Sequence, residues 1–65
     1  MAVAHKFIVA DDHPLFRAAL TQALRQLAPQ AEIVEADTME ATTEVVNRHP
    51  DADLILLDLH MPGAH

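Results

Sequence analysis

Two four-residue apolar runs, Phe7-Ile8-Val9-Ala10 and Leu54-Ile55-Leu56-Leu57, each break off at a carboxylate: Asp11-Asp12 after the first, Asp58 after the second. Runs this short, bounded by polar residues, suit strands with both faces covered better than any helix. Between them, the residues after Pro14 carry apolar side chains at three- and four-residue spacing: Leu15, Phe16, Ala19, Leu20, Ala23, Leu24 and Leu27. That pattern predicts a helix from about 14 to 27 with this stripe inward and Arg17, Gln22, Arg25 and Gln26 facing water. Pro14 suits the first helical turn, where its missing N–H costs nothing, and Pro29 prevents continuation.

Glu32-Ile33-Val34-Glu35-Ala36 predicts a second strand, less apolar than the first and so nearer a sheet edge. Asp37 with Glu40 three residues later resembles a capping box, with Ala41, Val45 and Val46 on the inner side of a second helix that His49-Pro50 closes. The order β-α-β-α-β implies an α/β fold with a parallel sheet wound right-handedly. Met61-Pro62-Gly63 is a turn signal.

Composition narrows the function. The chain has 65 residues, with ten acidic and four basic side chains and a net charge of −6. That length holds one small domain or part of one. A chain of this size hides only about 60% of its unfolded surface, so its stability margin is thin. The negative charge disfavours binding of nucleic acid or of an anionic membrane by this segment. With no Cys there is neither a disulfide nor a thiolate metal cage. Apolar runs of at most four residues exclude a membrane span and a signal-peptide core. A hydrophobic share of 51% argues against disorder.

In a doubly wound sheet, strand one commonly lies between strands two and three. Ligands bind in the crevice at the carboxyl ends of the strands, where the strand order switches direction. Asp11, Asp12 and Asp58 would then meet in space. Three neighbouring carboxylates raise one another's proton affinity unless a cation intervenes, and hard oxygen donors suit Mg²⁺. Asp is also a common cap, so Asp11 or Asp12 taken singly is equally well explained as the start of helix one. Asp58 is harder to explain that way, because a loop signal follows it.

The segments Phe7-Ile8-Val9-Ala10-Asp11-Asp12-His13-Pro14-Leu15-Phe16-Arg17 and Pro50-Asp51-Ala52-Asp53-Leu54-Ile55-Leu56-Leu57-Asp58-Leu59-His60-Met61-Pro62-Gly63 resemble the receiver domain of bacterial two-component response regulators. The Asp-Asp-His-Pro-Leu-Phe-Arg opening is similar to the LuxR/NarL-type transcriptional regulators. The resemblance spans essentially the whole chain. It implies a partial flavodoxin-like fold: the first three strands of a five-stranded parallel sheet of order 2-1-3-4-5, with residues 1–65 forming part of a receiver domain.

By this resemblance Asp58 is the phosphoacceptor, a carboxylate nucleophile that takes a phosphoryl group from a sensor histidine kinase. Asp11 and Asp12 match the acidic pair that holds Mg²⁺, together with Asp58 and the backbone carbonyl of His60. The ion would neutralise charge that repels the incoming phosphoryl group. The family's Ser or Thr after strand four, its Lys after strand five, its signalling face and its DNA-binding output domain all lie outside these residues. The segment is therefore expected to be a phosphoacceptor module of a cytoplasmic regulator of transcription, not an enzyme and not a complete switch.

Strand three has nothing in the sequence to cover its outer edge. An exposed apolar edge invites pairing, so a homo-oligomer joined through strand three is expected. Two rivals remain: an oligomerising structural half-domain with an unused acidic site, and a Mg²⁺-dependent phosphohydrolase with Asp58 as nucleophile. Of the histidines, His13 has two readings, a metal ligand beside Asp11 and Asp12 or a partly exposed loop residue. The second is expected, because Pro14 fixes the local geometry and the family this chain resembles uses oxygen ligands. His60 is expected to face solvent with only its carbonyl functional, and His5, His49 and His65 to lie on the surface. Phe16 and Leu20 are expected in the core.

Overall fold

The computed structural model describes residues 5–58. Five elements follow in order: β1 (Lys6–Ala10), α1 (Pro14–Leu27), β2 (Glu32–Ala36), α2 (Met39–Arg48) and β3 (Leu54–Leu57). The three strands form one parallel sheet of order β2-β1-β3. This is the α/β, flavodoxin-like arrangement expected, with the more polar β2 at an edge. Met61-Pro62-Gly63, His60 and His65 lie outside the described residues.

β1 is central because its side chains can be covered on both faces. Ile8 and Val9, pointing to opposite faces, are both 0% exposed. Ala10 pairs in register with Ala36 on β2, and Met39, Ala41 and Val45 pack against these two small residues. α2 therefore covers the face that carries Ala10, and right-handed crossovers place α1 on the other.

Register at the start of the sheet is held by a polar clasp. The Lys6 N–H donates to Asp53 Oδ2 and the Asp53 N–H donates to the Lys6 carbonyl, both at 2.8 Å. Lys6 Nζ reaches Asp51 at 3.0 Å and His49 Nδ1 at 3.1 Å. Phe7 consequently stands opposite Leu54, and Ala10 opposite Leu57.

Four expectations need correction. The apolar stripe of α1 is only partly inward: Leu20 and Leu24 are half-buried and Thr21 is buried. Leu15 is 88% and Leu27 82% exposed, and Phe16 is exposed too, so Phe16 is not a core residue. The stripe is wider than the strand beneath it, for α1 packs on β1. Arg17 does not face water; it is half-buried and bonded at the site described below. The cap of α2 is Thr38 rather than Asp37, with Thr38 Oγ1 accepting from the Ala41 N–H at 3.0 Å. Finally, β3 is not covered on both faces: Leu54, Ile55 and Leu57 are exposed and only Leu56 is half-buried.

With so little buried area, a single cap matters. Thr38→Ala should lower unfolding free energy by about 1 kcal/mol, read from the urea midpoint at unchanged denaturant slope; no loss would mean the Thr38 bond does not hold the helix start.

Candidate functional site

The ladder hydrogen bonds run one residue past each strand and so fix the backbone of the acidic residues. The Asp11 N–H donates to the Ala36 carbonyl at 3.0 Å, and the Asp58 N–H donates to the Ala10 carbonyl at 2.9 Å. Parallel pairing thus sets both carboxylates at the same end of the sheet. Asp11, Asp12, His13 and Asp58 each offer one ligand atom, and these atoms all lie within 4.8 Å of one another.

The three carboxylates differ in setting. Asp11 is 2% exposed, and its Oδ1 accepts from the His13 N–H at 2.7 Å. Asp12 is half-buried, and its Oδ1 is a buried oxygen that receives no hydrogen bond. Asp58 is half-buried, with Oδ2 3.5 Å from His13 Nδ1.

His13, expected as a partly exposed loop residue rather than a metal ligand, stands against the carboxylates. It is the N-cap of α1 but makes no side-chain cap bond. Its side chain stays 64% exposed, as expected of a loop histidine, while Nδ1 stands 2.9 Å from Asp11 Oδ1 and 3.0 Å from Asp12 Oδ1. An ionised carboxylate only accepts, so the ring nitrogen is the donor to Asp11. That bond, reinforced by the charge of Asp12, holds the imidazole above its ordinary value of 6.5. The backbone N–H of His13 first, then its ring, hold Asp11 below its ordinary 3.8 against the opposing effect of burial.

Arg17 was the omission. Its Nη1 donates to the Asp11 carbonyl at 2.8 Å while Nε donates to Glu35 Oε1 at 3.0 Å, tying the acidic loop to β2. Its place four residues past His13, one helical turn inward, was the only available signal. Beside the carboxylates, Pro14, Leu15, Phe16, Leu20, Leu56 and Leu57 help line an open cleft of ≈ 850 Å³ between α1 and β3.

The sequence comparisons agree with this geometry. A family model described as the response regulator receiver domain matches residues 7–65. The chain belongs to the response regulator receiver domain family. Receiver domains are signalling modules that typically bind Mg²⁺ at an acidic site, and an aspartate cluster is present here.

This receiver segment is 43% identical over 61 residues to the glycerol metabolism activator of Pseudomonas putida, covering 94% of this chain and 28% of that protein. It is 41% identical over 63 residues to the nitrate/nitrite response regulator protein NarP of Escherichia coli, covering 95% of this chain and 28% of the relative. Against the probable transcriptional regulatory protein NarL of Mycobacterium tuberculosis it is 40% identical over 58 residues, covering 89% and 26%. The chain thus spans little more than a quarter of the length of these curated relatives. No solved structure matches it. Among the described residues, no helix is long and apolar enough to cross a membrane.

The His13–Asp11 contact has a defined pH window. Asp11, with its lowered value, adds stability above 3.8 that fades as pH falls through its folded-state value. His13, with its raised value, adds stability that is full below 6.5 and is lost as pH rises through its folded-state value. The contact is therefore at full strength between 3.8 and 6.5. In the metal-free chain, NMR titration of the His13 ring protons should give a midpoint above 6.5, and Asp11→Asn should move it downward; a midpoint unmoved by that substitution would contradict the contact.

Proposed function

We propose that this segment is a phosphoacceptor receiver module in which Asp58 accepts a phosphoryl group from a sensor histidine kinase. One observation supports this most: carboxylates 47 residues apart in the chain offer oxygens to a single cluster at the carboxyl end of the sheet. The buried Oδ1 of Asp12, which accepts no hydrogen bond although His13 Nδ1 lies 3.0 Å away, fits a divalent cation there, as does a donor set of hard carboxylate oxygens. Asp11, Asp12, Asp58 and the backbone carbonyl of His60 would hold Mg²⁺. When bound, the ion supplies positive charge that offsets repulsion between the carboxylates and an incoming phosphoryl group.

The chain's own residues do the rest. Asp58 is held by its backbone bond to Ala10, so a carboxylate oxygen is presented at the cleft as the nucleophile. That oxygen forms a P–O bond as the P–N bond to the kinase histidine breaks, and the departing imidazole nitrogen keeps the electron pair. The product is an acyl phosphate on Asp58. The three relatives are named as regulators or an activator, which supports control of transcription by a cytoplasmic regulator of which residues 1–65 form part of the receiver domain. DNA binding would belong to an output domain outside these residues, given the net charge of −6.

In ¹⁵N-labelled chain, Mg²⁺ should shift the amides of Asp11, Asp12 and Asp58, and beryllofluoride should then shift Asp58 further unless Asp58→Asn is present. Absence of any Mg²⁺ response would favour an interaction half-domain with an unused site. Turnover of a phosphate ester would favour a phosphohydrolase.

The same module would pair with a second copy. Among the described residues nothing pairs with the outer edge of β3, where Leu54, Ile55 and Leu57 are exposed. A two-fold axis there would join two sheets by antiparallel β3 pairing, in the order 2-1-3-3′-1′-2′. Light scattering should report a dimer of this chain; a folded monomer at all concentrations tested would overturn the pairing.

A further inference from the structure

We infer that His13 is a nitrogen ligand that turns the acidic cluster toward borderline first-row divalent ions, Co²⁺, Ni²⁺ and Zn²⁺, over Mg²⁺. This rests on the reading of Asp11, Asp12 and Asp58 as a divalent-cation pocket.

The geometry is specific. His13 Nδ1 stands 2.9 Å from Asp11 Oδ1, 3.0 Å from Asp12 Oδ1 and 3.5 Å from Asp58 Oδ2. Two donors each about 2.1 Å from a shared octahedral ion are about 3.0 Å apart when adjacent. In the metal-free chain these separations are those of an N–H···O bond and an ion pair, and they remain short enough for adjacent corners of one coordination shell once an ion replaces the Nδ1 proton. One ligand atom from each of Asp11, Asp12, His13 and Asp58 lies within 4.8 Å of the others, so a single ion could be shared by all four.

The ring is also prearranged for this. Its backbone is fixed on both sides: the His13 N–H donates to Asp11 at 2.7 Å, and its carbonyl accepts from the Arg17 N–H at 2.8 Å. Pro14 follows directly. The side chain makes no cap bond, so ligation removes no side-chain cap from α1 and exchanges only the Nδ1 bond to Asp11 for one to the ion. On binding, Nδ1 releases its proton to solvent and offers its lone pair to the ion.

Donor chemistry sets the preference. Three carboxylates alone suit Mg²⁺, whereas imidazole suits nickel and zinc, whose affinity for nitrogen donors exceeds that of magnesium. Loss of a group that merely orients a ligand lowers metal affinity about 10–100-fold, so loss of a donor should do at least as much.

The test is calorimetric titration of the purified chain with Mg²⁺ and with Co²⁺, together with proton NMR of the Co²⁺-loaded chain. Strongly shifted His13 ring protons are expected, and His13→Ala should lower the ratio of Co²⁺ to Mg²⁺ affinity at least tenfold. His13→Asn removes the imidazole while keeping a favourable N-cap residue, and it should give the same fall if α1 is intact. An unchanged ratio in both variants, or unshifted His13 protons, overturns the inference while leaving Mg²⁺ binding by the aspartates in place. If Mg²⁺ shifts none of the three aspartate amides, the underlying pocket itself is wrong.

Discussion

Parallel pairing of β1 with β3 is the constraint from which the site follows. The clasp of Lys6 with Asp53 at the start of both strands sets the register, and four residues later Ala10 stands beside Leu57. The next residue on each strand is an aspartate. Were β3 antiparallel, Asp58 would lie at the opposite end of the sheet, about a strand length from Asp11, and no cluster could form. The chemistry thus depends on direction of pairing rather than on any feature of the loops.

Gathering three carboxylates works against folding, and the chain offsets this locally. Asp11, the most buried, is served by two donors from His13 and lies beside the guanidinium of Arg17. Asp58 retains partial exposure at the mouth of the cleft. Asp12 keeps one buried oxygen without a hydrogen bond. Buried oxygens usually find partners, and the nearest positive group to this one is the His13 ring, with Nδ1 3.0 Å away. The polar bonding that holds the cluster comes from one loop and the first turn of α1.

The apolar surface has a related logic. β1 is covered on both faces, but β3 and the forward edge of α1 are not: Leu15, Phe16, Leu54, Ile55 and Leu57 stay exposed around and beside the cleft that ends at Asp58. A monomer seldom leaves so many large apolar side chains together in water. This surface adjoins the carboxylates, so whatever covers it would also shield the site from solvent and strengthen its electrostatics.

Much of this was legible in the residues. Short apolar runs ending at aspartates and helical spacing between them determined the element order, the bounds of α1, β2 and β3, and the doubly wound topology, because burial needs of strands and helices impose different periods. Three features were not legible. Thr38 rather than Asp37 caps α2, since two adjacent cap-forming residues leave the choice to the exit angle of β2. The stripe on α1 is half uncovered, because periodicity reports which face is apolar and not whether a neighbour exists to cover it. Arg17 looked like a surface residue, and only the folded chain turns it inward, while His13 stays largely exposed as expected but brings its ring nitrogen against the carboxylates. Local pattern reflects what each segment can bury, whereas the company a side chain keeps across 40 or more residues is decided when the strands align.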